Sequence, residues 1–423
     1  MKICLLCYRG NKYCGGQGVY LYYLSREFQR LGHEVDVMVG PPYPDIADGI
    51  RVHKLESLNL YDRKDEGNGM LPRGNPYRIF TPLNLYEVAG TKLGMFPEML
   101  TFSIRAYYKV RQLIPGQRFD IVHDNQNLGY GLLLMKALQV PVVATIHHPL
   151  PIDAKAELAQ QRSDWEKIKR ILFYPPMMQG IVARRLDWVI TDSRSSEREV
   201  SRIFRVPQSK MRSVYPGVDA NIFRRLDGRS REGGRLIMVG RTGDRKKGIL
   251  YLLQALHILK NDSVDIKLTI VDQVVSSNSF AVALIKKYGL EDMVNFTGRI
   301  TTEELVREYS AAEIAITPSV YEGFGLPAAE AMACEVPVVA TTAGALPEVV
   351  VDGETGILVP PQHPHALARA IKRLFEDEPL RRRMGGEGRR RVERCFSWEQ
   401  AARQILDVYE EARSGVNHSS ACL

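Results

Sequence analysis

Glu322 and Glu330 stand eight positions apart in the segment Thr317-Pro318-Ser319-Val320-Tyr321-Glu322-Gly323-Phe324-Gly325-Leu326-Pro327-Ala328-Ala329-Glu330. A carboxylate accepts hydrogen bonds on two oxygens, so it suits a pair of neighbouring hydroxyls, the pattern that ribose and hexose rings present. Ile314 to Thr317 reads as an apolar strand and Ala328 as the opening of a helix, with two glycines in the turn between. This spacing puts Glu322 in the turn and Glu330 in the first helical turns, both toward one mouth. The helix-start amides near Phe324, Gly325 and Leu326 are placed to meet sugar or phosphate oxygens. The plainer use of such acids is to complement a helix start.

A second strand-to-helix junction lies upstream in Val239-Gly240-Arg241-Thr242-Gly243-Asp244-Arg245-Lys246-Lys247-Gly248. Arg241 and Lys247 follow a strand end, where two cations can hold a diphosphate and stabilise it as it leaves. Arg245 and Lys246 read as the solvated part of that loop. A third junction is Cys14-Gly15-Gly16-Gln17-Gly18, after the strand Lys2 to Cys7. Gly15 and Gly16 would let the backbone approach a phosphate closely at a helix start. It is not G-x-G-x-x-G, and a structural turn explains it equally well. His147, with His148 and Asp153 behind it, follows the strand Pro141 to Ile146. A histidine there serves a core hydrogen bond as often as a ligand.

The elements that must position these groups repeat in two series. Strand Lys2 to Cys7, the glycine loop, a helix with Val19, Tyr22, Leu24, Phe28 and Leu31 at helical spacing, and strand Glu34 to Val39 form a βαβ unit. Asp120 to His123, Pro141 to Ile146 and Trp188 to Thr191 read as further strands. Prolines and glycines interrupt residues 41–100, and residues 155–173 read as a helix broken by Pro175-Pro176. The second series holds strands Leu236 to Val239, Lys267 to Val271, Val294 to Thr297, Ile314 to Thr317 and Val338 to Thr341. Ile249 to Leu259 is its first helix, and Thr301 with Glu304 has capping-box spacing. The expected fold class is α/β, two Rossmann-like domains with parallel sheets facing a central cleft. The domains run 1–215 and 216–395. A helix over 396–413 packs back toward the first, and a tail after Ser414 is expected to be disordered.

A chain of 423 residues suits two domains of roughly 200 residues. No apolar run reaches the roughly 18 residues of a membrane helix, and Ile3 to Cys7 is too short for a signal peptide. The expected location is the cytoplasm. Cys4 and Cys7 have C-x-x-C spacing, but in a strand they point to opposite faces, and no second pair completes a zinc site. Residues 1–215 hold 30 Lys+Arg and 21 Asp+Glu, a net of +9, while residues 216–423 hold 27 and 28, a net of −1. The basic half leaves an anionic acceptor or peripheral contact with an anionic membrane open, beside a merely solvated surface. Its cations are scattered and not interleaved with aromatics, which argues against nucleic acid.

The E-G-F-G-L-P-x-x-E segment, with G-R-x(5)-K-G upstream, resembles the retaining glycosyltransferases of family 4, which have the GT-B fold. Pro216-Gly217-Val218-Asp219 with Phe223, Ala333-Cys334, Pro337 to Ala340 and Gly344 to Glu348 continue the likeness. It is dense over 235–360 and sparse over 41–110. The resemblance implies that Glu330 binds ribose hydroxyls and Glu322 the donor sugar. It implies that Arg241 and Lys247 bind the diphosphate, which Gly16 approaches from the first domain. Arg299 and Ile300 would meet the base, and His147 would reach the transferred sugar. Two departures stand out. Asp272-Gln273-Val274-Val275-Ser276 replaces the glycine-rich turn of many members, and Pro216-Gly217 lacks the asparagine often found between them.

The implied reaction moves a hexose with retention. No carboxylate nucleophile is apparent beyond Glu322, so front-face attack is expected, with the leaving diphosphate taking the acceptor's proton. A UDP-sugar donor is favoured and a GDP-sugar is the alternative. The acceptor, whether small molecule, glycan or lipid-linked, is not legible. No metal or other cofactor is expected. A non-catalytic nucleotide-sugar-binding protein and another GT-B activity, such as an epimerase, are the rival readings.

Overall fold

The structure is a computed structural model that describes residues 1–11, 16–60, 76–93, 95–152, 176–226, 231–272 and 279–420. The chain divides into two compact units, Met1–Val214 with Ala401–Leu423, and Tyr215–Gln400.

In the first unit, β1 (Lys2–Cys7), β2 (Glu34–Val39), β3 (Arg51–Lys54), β4 (Ile121–Asn125), β5 (Val142–Ile146), β6 (Trp188–Thr191) and β7 (Met211–Ser213) form one sheet in the order β3-β2-β1-β4-β5-β6-β7. Every pairing is parallel. The helices are α1 (Gly16–Arg30), α2 (Pro82–Lys92), α3 (Glu98–Leu113), α4 (Gly131–Lys136), α5 (Pro176–Arg185) and α6 (Arg194–Phe204). β1, β4 and β5 are buried nearly throughout, as strands covered by helices on both faces must be. The order reverses direction between β1 and β4, so the loops after these two strands diverge and leave a crevice at their carboxyl ends.

The second unit repeats the plan. β8 (Arg235–Val239), β9 (Lys267–Val271), β10 (Val294–Phe296), β11 (Ile314–Thr317), β12 (Val338–Thr341) and β13 (Gly356–Val359) pair in the order β10-β9-β8-β11-β12-β13, all parallel. The switch falls between β8 and β11. The helices are α7 (Ile249–Asn261), α8 (Phe280–Tyr288), α9 (Thr302–Ala311), α10 (Leu326–Ala333), α11 (Leu346–Val349), α12 (Pro364–Glu376) and α13 (Glu378–Cys395). α7 buries Ile249, Leu252, Leu253, Leu256 and Leu259 against the sheet. Each such side chain contributes about 1.5–3 kcal/mol by leaving water. The expected capping box of α9 is formed, with Thr301 and Glu304 exchanging bonds of 2.7 and 3.2 Å. Both units are therefore Rossmann-like α/β domains with parallel sheets.

Two expectations need correction. The region 41–100, read as irregular, holds β3, a 3-10 turn over Pro76–Phe80, all of α2 and the start of α3. Its prolines open elements: Pro82 lies in the first turn of α2, and Pro97 caps α3. The last helix, α14 (Trp398–Ser420), runs beyond Ser414, where a disordered tail was expected. The helix expected over 155–173 lies outside the described residues, as do Gly15 and Asp153.

α14 is held to the first unit's sheet. The Tyr409 hydroxyl lies 2.6 Å from His123 Nδ1, and the Tyr409 ring packs on Phe28 at 5.6 Å. Arg212 reaches Glu411 at 2.8 Å. No helix among the described residues is long and apolar enough to cross a membrane.

Candidate active site

In the second unit the loops after β8 and β11 meet at the switch point. The amide of Val320 donates to the carbonyl of Lys246 at 2.7 Å. Gly248 has φ +73°, and a Cβ there would sit 1.8 Å from the Pro318 carbonyl oxygen, so only glycine lets the loops close. Asp244 caps the short 3-10 turn that carries Lys247. Asp272, at the end of β9, takes both the amide and the hydroxyl of Thr242 at 2.7 and 2.6 Å, which fixes the β8 loop from the other side.

This framework brings Lys247 and Glu322 together, with Lys247 Nζ at 2.8 and 3.0 Å from the two carboxylate oxygens. Ser319 donates to the same carboxylate at 3.1 Å. The Glu322 carbonyl oxygen accepts from Ala345, and a Cβ on Gly344 would lie 2.1 Å from it, so the turn is gripped from both ends. Arg241 is exposed and its side chain makes no ion pair or hydrogen bond among the described residues.

Glu330 lies on α10 and receives the Tyr309 hydroxyl at 3.2 Å. Burial pushes its carboxyl up to about 7, and the Tyr309 bond only partly offsets that. Tyr309 is itself pushed up, by burial and then by Glu330. α10 begins after Gly325 at φ +106°. The amides of Phe324, Gly325 and Leu326 make no hydrogen bond among the described residues, leaving donors at a helix start. The Phe324 ring turns away into the core, against Tyr215 and Phe396 at 5.9 and 5.4 Å. Arg299 is exposed after Gly298, and Ile300 packs on the core edge.

In the first unit His147 follows β5. Its Nδ1 lies 2.6 Å from Asp192 Oδ2 and its Nε2 2.6 Å from Asn125 Oδ1. Gln126 Oε1 accepts from the His147 amide at 2.6 Å, and the Tyr20 ring meets the imidazole edge-on at 5.0 Å. Asp124 is wholly buried. Its Oδ2 accepts from the amides of Asn127 and Leu128, and burial pushes the carboxyl up to about 7. Gly16 opens α1, and nothing stands within 4 Å of where its Cβ would be.

Arg241, Lys247, Arg299, Ile300, Glu322, Phe324, Gly325, Leu326 and Glu330 thus belong to the second unit, and Gly16 and His147 to the first. Sequence reasoning passed over Asn125, Asp192, Tyr309 and Ser319, and met Asp272 only as a departure from a glycine-rich turn. Two of these had a legible signal. Asp124-Asn125-Gln126-Asn127 and Asp192-Ser193 are polar runs at strand carboxyl ends, and the structure buries all six residues. Tyr309 had none, since it reads as one more core position of an amphipathic helix.

Two family models cover most of the chain. "Glycosyltransferase Family 4" matches residues 14–222 and "Glycosyl transferases group 1" matches 223–391. The chain is 40% identical to MMP alpha-(1->4)-mannosyltransferase from Mycolicibacterium hassiacum, over 97% of this chain and 98% of that one. It is 28% identical to D-inositol 3-phosphate glycosyltransferase from Streptomyces bingchenggensis, over 96% and 87%. Among solved structures, sucrose-phosphate synthase from Thermosynechococcus elongatus superposes with a TM-score of 0.75 at 25% identity, covering 98% of this chain and all of that one. Anabaena HepE in complex with UDP superposes at 0.67 with 18% identity, over 97% and 100%, a likeness of fold.

Proposed function

This chain belongs to glycosyltransferase family 4 and has the GT-B fold, and from that premise we propose that it moves a hexose from a nucleoside diphosphate sugar to an acceptor hydroxyl, with retention at the anomeric carbon. That it is a glycosyltransferase follows from its relatives. The donor, the stereochemistry and the residue roles are our reading. The observation that carries it is the Lys247–Glu322 pair at the β8/β11 switch point, with Arg241 close by in sequence and unengaged among the described residues.

Each role follows from chemistry. Lys247 and Arg241 are the cations for the diphosphate, and their charge stabilises the leaving group as its bond to the sugar breaks. Glu322 accepts from sugar hydroxyls, and Glu330 accepts from the two ribose hydroxyls. The amides of Phe324, Gly325 and Leu326 add neutral donors, Gly16 leaves room for a phosphate at the start of α1, and Arg299 with Ile300 faces the base. His147 is the sugar-facing group of the first unit. Glu322 is assigned to the sugar hydroxyls and is not free to act as a nucleophile, so front-face attack is the route proposed over a covalent intermediate. The mannosyltransferase relative makes mannose the first sugar to test. UDP-sugars are the first donor class and GDP-sugars the second.

The test is thermal stabilisation by UDP, GDP and ADP, then by their hexose conjugates. A ligand at 100 times its dissociation constant adds about 2.7 kcal/mol to the folded state. One nucleotide is expected to raise Tm, with Glu330→Ala abolishing the shift. No shift from any of them at millimolar concentration overturns the donor reading.

A further inference from the structure

The His147 ring is held between two acceptors. Asp192 Oδ2 lies 2.6 Å from Nδ1, and Asn125 Oδ1 lies 2.6 Å from Nε2. The Asn125 amide is oriented by its own bond, because Nδ2 donates to the Gln17 carbonyl oxygen at 2.9 Å. Turning the amide over would set two oxygens against each other at Gln17. Oδ1 must therefore face the ring, and it can only accept, as can an ionised Asp192. A ring with an acceptor at each nitrogen is satisfied only when both carry a proton.

The surroundings keep this geometry. Gln126 Oε1 accepts from the amides of His147 and His148 at 2.6 and 3.2 Å. Ser196 donates to the His147 carbonyl at 3.1 Å. Among the described residues, the titratable groups around the ring are Tyr20 on α1, His123 on β4, neighbouring His148 and Asp192 after β6. Burial pushes the Tyr20 phenol up, so it stays neutral. Burial, reinforced by the charge of His147, pushes His123 down to about 3, so it is neutral as well. Asp192 is buried, and its Oδ1 has no partner among the described residues, so its charge is directed at the imidazole.

We propose that Asp192 is a positioning residue which, with Asn125, holds His147 as a doubly protonated imidazolium, so that the group meeting the transferred sugar is a cation that donates. The assignment of a sugar-facing task rests on the function proposed above. On donor binding, Nε2–H exchanges Asn125 Oδ1 for a sugar oxygen, while Asp192 retains Nδ1–H and with it the ring's orientation. No covalent bond changes.

The experiment uses the full chain labelled with 15N-histidine, with the low-field ring N–H signals recorded at neutral pH and His147 identified by the pair lost in His147→Gln. Wild type is expected to show two ring protons on His147, and Asp192→Asn only one. In kinetics, D192N is expected to lower kcat about tenfold or more, with the donor KM little changed. The nucleoside diphosphate, which lacks the transferred sugar, should stabilise D192N as it does wild type. That equality separates lost positioning from general damage. If D192N does not fold, Asn125→Asp keeps an acceptor at Nε2 and should keep both protons. A single ring proton in wild type, or loss of a proton in N125D, overturns the proposal. The ring signals need no donor, so they stand whatever the thermal shifts report. Two protons together with an unchanged kcat in D192N would overturn only the sugar-facing task of His147.

Discussion

Lys247 and Glu322 neutralise each other at 2.8 Å, so an arriving diphosphate competes with Glu322 for the ammonium. Glu322→Gln should separate the two proposed roles. Transfer is expected to fall on the order of 10²-fold as the sugar loses the charged, two-oxygen acceptor and meets an amide with one accepting oxygen. Binding of the nucleoside diphosphate alone should hold or tighten, because Lys247 is released; a parallel loss of both by calorimetry would contradict the roles. Glu330 gives a pH signature. Its carboxyl rises from 4.5 in the unfolded chain to about 7 in the fold. The folded state therefore holds this proton more tightly. The stability it contributes is complete below about pH 4.5 and is lost as pH climbs through about 7. Glu330→Gln should flatten that decline, worth at most about 3 kcal/mol, in thermal melts from pH 4.5 to 8. The glutamates and cations were legible because glycines and strand ends mark their loops. Asp192 and Asn125 stood out only as polar residues at strand ends, since their importance comes from what they touch across the sheet, His147 after β5, and spacing along the chain does not encode that contact.

At the scale of elements, the glycine positions carry the steepest predictions. Gly248→Ala combines a φ of +73° with a Cβ 1.8 Å from the Pro318 carbonyl oxygen, so the β8 and β11 loops must part. A loss of more than about 2 kcal/mol in thermal unfolding, together with loss of donor binding, is expected. A G248A protein with wild-type Tm would contradict the loop closure described here. The covered strands were legible because parallel strands buried on both faces are short apolar runs, whereas the short, largely unburied β3 and β7 were not. The helices α2 and α3 were not, because Pro82 and Pro97 look like interruptions until one sees them in first-turn and cap positions, where a missing N–H costs nothing. β13 escaped notice for a different reason: Gly356 opens it, and the absent side chain lets β12 come close, with a Cβ there only 2.1 Å from the Val338 carbonyl oxygen.

At the scale of the molecule, the first unit depends on the last helix. The Tyr409 hydroxyl is the partner of His123 Nδ1, and His123 Nε2 in turn meets Thr145, which meets Tyr20. Tyr409→Phe keeps the ring packing on Phe28 and strands a buried nitrogen. The expected cost is about 1–3 kcal/mol, read as a lower Tm. An unchanged Tm would mean that the bond contributes nothing net. The two-domain plan was legible from the repeated strand–loop–helix order. The seven- and six-strand orders were not, since a sequence names its strands and leaves open which of them lie side by side.

That the first unit takes in residues from both termini has a consequence for the order of synthesis. The ribosome delivers Met1–Val214 first, then the 186 residues from 215 to 400, and only then the helix that supplies Tyr409. At roughly 5–20 residues per second, the first unit waits about 10–40 s with His123 and Phe28 lacking their partner. The second unit is continuous and has no such interval. The segment made first is thus completed last, and during translation the nascent N-terminal half is the part of this enzyme that most needs a chaperone's cover.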